Sequence, residues 1–97
     1  MSIAAAITED VTPYLPRGVR LHRCRVRAGW FLLAPERALK MDAIGVAILN
    51  CIDGTRSFGA IVDKLASDFQ VPRDRVAADA GKFLSDLADR RMVEVKS

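Results

Sequence analysis

The residues able to do chemistry in this chain are few. Cys24 and Cys51 stand far apart, with no CxxC spacing, and the one histidine near either, two residues before Cys24, adds no ligand set. A metal site needs three or four ligands held at defined spacing, and redox pairs usually sit close in sequence. His22 is the one histidine and cannot by itself build a zinc site or a catalytic triad. Asp63, Asp68, Asp74, Asp79, Asp86 and Asp89 offer carboxylates, but no nucleophile, base or ligand set accompanies any two of them. Asp86 and Arg90 stand four apart and can pair on a helix surface, worth about 0.3 kcal/mol. Gly45, Gly54, Gly59 and Gly81 are scattered and form no phosphate-cradling loop. The inventory predicts no catalytic residues, no metal and no cofactor, and so a protein that is not an enzyme.

The charge pattern points instead to binding. The chain has 97 residues and a net charge of +3. Residues 1–41 carry seven Lys/Arg against three Asp/Glu, and residues 42–97 carry eight against nine. Arg17, Arg20, Arg23, Arg25 and Arg27 fall in one stretch without an acid. Such a patch attracts an anionic partner, or serves only as a solvated edge that keeps the protein soluble. The length is one domain's worth, and 51% hydrophobic with 28% charged residues is a globular balance. No segment has the ~20 apolar residues that cross a bilayer. Met1 to Ile7 is apolar but lacks a basic flank and soon meets Glu9 and Asp10, unlike a signal peptide. The expected setting is the reducing cytoplasm, with no membrane partner.

Residues 1–15 read as a flexible N-terminal arm, because Pro13 and Pro16 oppose regular pairing or helix continuation. Residues 16–97 read as one domain. Val19 to Cys24 alternates like a half-buried strand, Arg25 to Gly29 makes a turn closed by glycine, and Trp30 to Ala34 is a second strand. Pro35-Glu36 turns the chain into a third strand, Arg37 to Met41. Asp42 then caps a helix whose apolar face is Ile44, Ile48, Leu49 and Ile52, stopped by Asp53-Gly54. Ser57 caps a second helix with Phe58, Ile61, Val62, Leu65 and Phe69 on one stripe. After Pro72, with Asp74 near its start, a third helix carries Val76, Ala80, Phe83, Leu84 and Leu87. Gly81 inside it costs ~1 kcal/mol against alanine, which suggests close packing there. Met92 to Val95 is a short terminal extended piece. The predicted fold is α+β: a winged-helix-like domain with an N-terminal three-stranded antiparallel sheet followed by three helices.

Two features of this arrangement bear on function. Arg37, Ala38, Leu39, Lys40 and Met41 form an outer strand whose unpaired backbone can template a strand from another chain, a homodimer included. The charges on Arg37 and Lys40 serve equally well as gatekeepers against such pairing. The helix-turn-helix order of residues 58–90 also allows a DNA-binding winged-helix regulator. Its third helix, however, bears Asp74, Asp79, Asp86 and Asp89 among its basic residues, a poor match to phosphate. Nucleic acid is therefore not the expected partner.

Arg17 to Leu21, Leu32-Leu33-Ala34-Pro35-Glu36-Arg37, Ile48-Leu49, Asp53-Gly54-Thr55-Arg56-Ser57 and Ile61-Val62 together resemble the pyrroloquinoline quinone (PQQ) biosynthesis protein D (PqqD) family. The likeness runs from about Pro16 to Val95. It implies a peptide chaperone with the fold called the RiPP recognition element. Such a chaperone binds a ribosomal precursor peptide, PqqA, and presents it to a radical S-adenosylmethionine (SAM) enzyme, PqqE, which crosslinks a glutamate and a tyrosine. The resemblance implies that the peptide adds to the edge at Arg37 to Met41, in a groove against the third helix. The 3.6-residue period nominates Asp79, Lys82, Phe83 and Asp86 as that helix's groove-facing residues. The arginines from Arg20 to Arg27 are one candidate surface for the enzyme.

Overall fold

The computed structural model describes residues 7–96. Strands β1 (Thr12–Tyr14), β2 (Arg20–Cys24), β3 (Gly29–Ala34) and β4 (Arg37–Met41) precede helices α1 (Ala43–Asn50), α2 (Phe58–Phe69) and α3 (Arg73–Asp89), and β5 (Glu94–Lys96) follows. The strands β2-β3-β4 form an antiparallel meander, and β1 pairs with β5 in a separate two-stranded ribbon. This is the α+β, winged-helix-like arrangement of a small sheet followed by three helices. Among the described residues no helix is long and apolar enough to cross a membrane.

The meander's register explains its two faces. Leu21, Leu32 and Leu39 stand side by side across the three strands, and Leu32 is wholly buried. Because side chains alternate along a strand, the neighbouring row of His22, Phe31 and Lys40 lies on the opposite face. The turn before β3 departs from the expected glycine solution: the left-handed residue is Ala28, at φ 52°, and not Gly29.

Each helix starts where a side chain can accept an orphan backbone N–H, or where proline needs none. Asp42 Oδ1 accepts from Gly45 N at 2.8 Å, and Ser57 Oγ accepts from Ala60 N at 3.2 Å. Pro72 stands at the start of α3 without a side-chain cap. The helix α1 stops at Asn50, short of the expected Asp53-Gly54. There Asp53 Oδ1 accepts from Thr55 N and Arg56 N, both at 2.9 Å, giving the backbone a turn to make in place of further helix. The core then gathers Ile48 and Leu49 from α1, Phe58, Ile61, Val62 and Leu65 from α2, and Leu84 and Leu87 from α3. Met92 and Val93 complete it. Phe69, expected at the end of the α2 stripe, is instead exposed, and so is Ile44 of α1.

Residues 1–6 of the expected arm lie outside the described residues. Residues beyond them are tied down. Pro13, read as an obstacle to pairing, stands opposite Val95 in the β1–β5 ribbon and is buried. Proline fits an outer strand whose nitrogen has no ladder bond to donate. Tyr14 donates its hydroxyl to Glu94 at 2.8 Å. Further back, Phe58 N donates to Val11 O at 2.7 Å and Gly59 N to Glu9 O at 3.1 Å. Arg73 then grips both carboxylate oxygens of Glu9, at 2.9 and 2.6 Å, while its Nε donates to Asp63. These hydrogen bonds from Arg73 hold the Glu9 carboxyl below its ordinary range.

Two glycines make opposite predictions. A Cβ on Gly81 would meet Phe58 Cζ at an ordinary 3.6 Å, so Gly81→Ala raises the unfolding free energy by about 0.5–1 kcal/mol through helix propensity. A Cβ on Gly59 would press on Glu9 at 3.0–3.3 Å, backbone oxygen included, so Gly59→Ala lowers it; urea unfolding of both variants checks the pair. The lowered Glu9 pKa also sets a pH dependence. Its stabilising contribution is present at neutral pH and disappears as pH falls through its folded pKa. Glu9→Gln should therefore flatten the acid limb of a stability–pH curve, and an unchanged limb would rule the clamp out.

Candidate functional site

Among the described residues the outer strand β4 pairs only with β3, so one of its sides has N–H and C=O groups with no sheet partner there. Beside the Met41 end of that edge lies a hollow of about 570 Å³. Lys40, Met41 and Asp42 form one wall, Ile44, Gly45 and Ile48 of α1 the floor, and Asp79 and Phe83 of α3 the other wall. Asp79 and Phe83 are four residues apart on one helix and so share a face. Gly45 sits where Met41, Asp42 and Phe83 converge. A side-chain carbon there would come within 3.3 Å of Met41 Sδ, Asp42 Oδ1 and Phe83 Cε1. The Asp42 cap fixes the same turn. Lys40 brings a cation and Asp42 and Asp79 bring carboxylates to the lining, over an apolar floor.

Of the residues nominated from the sequence, Lys40, Met41, Asp79 and Phe83 come together around this hollow. Arg37, Ala38 and Leu39 lie further back along the same edge strand, and Leu39 sits in the leucine row against Leu32. Lys82 and Asp86 are exposed on α3, outside the hollow's lining. Asp42, Ile44, Gly45 and Ile48 escaped the sequence reading as site residues. Ile44 and Ile48 carry ordinary helical core spacing, and nothing in the pattern tells a core stripe from a groove floor.

The remaining reactive groups lie elsewhere. Cys51 is buried, and burial pushes its thiol pKa up, away from a nucleophile's range. His22 is exposed on β2. Among the described residues no cluster of three His, Cys, Asp or Glu could hold a metal ion. On the β2–β3 hairpin, Arg20, Arg23, Arg25 and Arg27 are exposed, and none is in an ion pair among the described residues. The Arg27 guanidinium stands 5.9 Å from the Phe31 ring centre. Val26, at the tip, is 95% exposed. A strand edge beside a hollow with an apolar floor and three charged residues in its lining is equipped to hold an extended chain.

Comparison with known proteins bears on the same region. The family model described as "Coenzyme PQQ synthesis protein D (PqqD)" matches residues 29–93, from β3 to just before β5. A protein of Rhizobium meliloti named PqqA binding protein is 44% identical over 95% of this chain and 94% of its own length. One of the same name from Rhodopseudomonas palustris is 42% identical over 88% and 83%. Among solved structures, the solution structure of the PqqD part of Methylobacterium extorquens PqqCD, described as a functional, stand-alone RiPP recognition element, superposes with a TM-score of 0.78. It is 37% identical and covers 94% of this chain and 97% of that one. The crystal structure of Xanthomonas campestris PqqD gives a TM-score of 0.56 at 35% identity, over 89% and 96%. On this match through the sheet, the groove and all three helices, the chain belongs to the PqqD family.

Proposed function

We propose that this chain is a peptide chaperone of PQQ biosynthesis: it binds the precursor peptide PqqA along the β4 edge and presents it to the radical SAM enzyme PqqE. The observation that carries the reading is the unpaired β4 edge next to a hollow walled by Asp79 and Phe83 of α3. The relatives named PqqA binding proteins, which match nearly the whole chain, support it. Main-chain bonds along Arg37 to Met41 supply sequence-independent affinity, and the hollow's apolar floor and its Lys40 and Asp79 set register. Lys82, exposed between Asp79 and Phe83, and Asp86, beyond them on α3, would meet charged residues at the peptide's flanks.

The chain itself makes or breaks no covalent bond in this reading. Its contribution is to hold a flexible peptide in one geometry and to raise the peptide's effective concentration at the enzyme. The cytoplasm, where a ribosomal peptide is made, is the compartment this requires. The surface that meets the enzyme is the arginine hairpin, whose cations are unpaired among the described residues and so remain available to carboxylates on a partner. Duplex DNA is a poorer partner, because Asp74, Asp79, Asp86 and Asp89 are all exposed on α3.

Titration of the isotope-labelled protein with the PqqA peptide of Rhizobium meliloti, followed by NMR, should shift the amides of Arg37 to Met41 and of α3 around Asp79 and Phe83. Shifts confined to other regions would overturn strand addition at β4, and none at high excess would overturn PqqA binding. Replacing Arg23, Arg25 and Arg27 together by glutamate should weaken the complex with the radical SAM enzyme by tenfold or more while leaving peptide affinity unchanged. Equal affinity for the enzyme would remove the hairpin from that interface.

A further inference from the structure

A second hollow, of about 300 Å³, continues the first along the helices. Ile44, Ile48 and Asp79 line both. Its own walls are Ala47 of α1, Leu65 and Phe69 at the end of α2, Val71 in the connection, and Val76 and Ala80 of α3, with Arg75 at one side. Two apolar stripes run out of the core here. Ile44 is spaced with Ile48 on α1, and Phe69 follows Leu65 on α2, yet Ile44 is 67% and Phe69 59% exposed. Both are large apolar side chains left in water beside a hollow whose remaining lining is mostly apolar.

We infer that this second hollow is an anchor pocket for one large apolar side chain of the same peptide, lying beyond the segment that pairs with β4. The inference rests on the proposed peptide reading and extends it to the chemistry of the peptide. The occupant follows from continuity: a chain leaving the edge at Met41 crosses the wall shared through Ile44 and Asp79 and enters the second hollow directly. The charges set its neighbours. Asp79, on the shared wall, favours a cationic or hydrogen-bond-donating residue between strand and anchor, and Arg75 favours a carboxylate next to the anchor. The anchor is branched aliphatic or aromatic, because the hollow has room for about one such side chain and its floor offers few polar partners.

Ile44→Ser and Phe69→Ser test the pocket with little risk to folding, since both side chains are already largely exposed. Calorimetric titration with the Rhizobium meliloti PqqA peptide should show each variant binding roughly tenfold more weakly, with the NMR shifts at Arg37 to Met41 retained. An alanine scan of the apolar residues in the peptide should find one whose loss weakens binding to the unaltered protein but adds little in the double variant. Unchanged affinity in both variants, or losses that add in full for every peptide residue, would overturn the anchor. A concentration-dependent mass that the substitutions abolish, with peptide affinity intact, would assign the pocket to a second copy of the chain and overturn it as well. Absence of any peptide binding by the unaltered protein would instead remove the parent reading, and this inference with it.

Discussion

The close approach at Gly45 is the constraint from which the groove follows. With hydrogen as its side chain, the first turn of α1 can lie against Phe83 of α3 and Met41 of β4 at once. That three-way contact joins the end of the sheet to the helical core. It also makes the strand edge and the helix face two sides of one groove. A Cβ at this position would have to push the ends of Met41, Asp42 and Phe83 aside by a few tenths of an ångström, disturbing the join between edge and facing wall. Asp42, by capping the same turn, holds the backbone where this contact can form.

The sheet contributes to the same end through an asymmetry between its faces. Leu32 is buried in the middle of the central strand, with Leu21 and Leu39 beside it, and this row attaches the meander to the helices by burial of apolar surface. The opposite row carries His22 and Lys40 around Phe31. One face is thus committed to stability, while the outer strand's backbone keeps one side unpaired among the described residues. On the other side of the core, Arg73 ties Glu9 to Asp63 and Gly59, and no residue of the groove takes part in that clamp.

Local pattern made most of the fold legible. The strand Arg37 to Met41 and the helix that begins after Ser57 fall where alternation, capping and period put them. Pro13 escapes the rule against proline in strands because that rule concerns lost ladder bonds, and an outer position loses none. The end of α1 falls before the glycine at 54 because the Asp53 side chain competes for the backbone earlier. Half of the groove was visible in the edge strand and in the spacing of Asp79 and Phe83. Ile44 and Phe69 were not, because a periodic apolar stripe records which side of a helix avoids water and says nothing of where along its length the protein ends. That information lies in the packing of three helices, which no single segment encodes.

The ribbon of β1 and β5 carries a consequence for architecture. Antiparallel pairing sets Thr12 opposite Lys96, so the first and last strands are stitched to each other, and Glu9, further back, is held by Arg73. Neither terminal strand can leave without unpairing the other, while the meander keeps a register of its own.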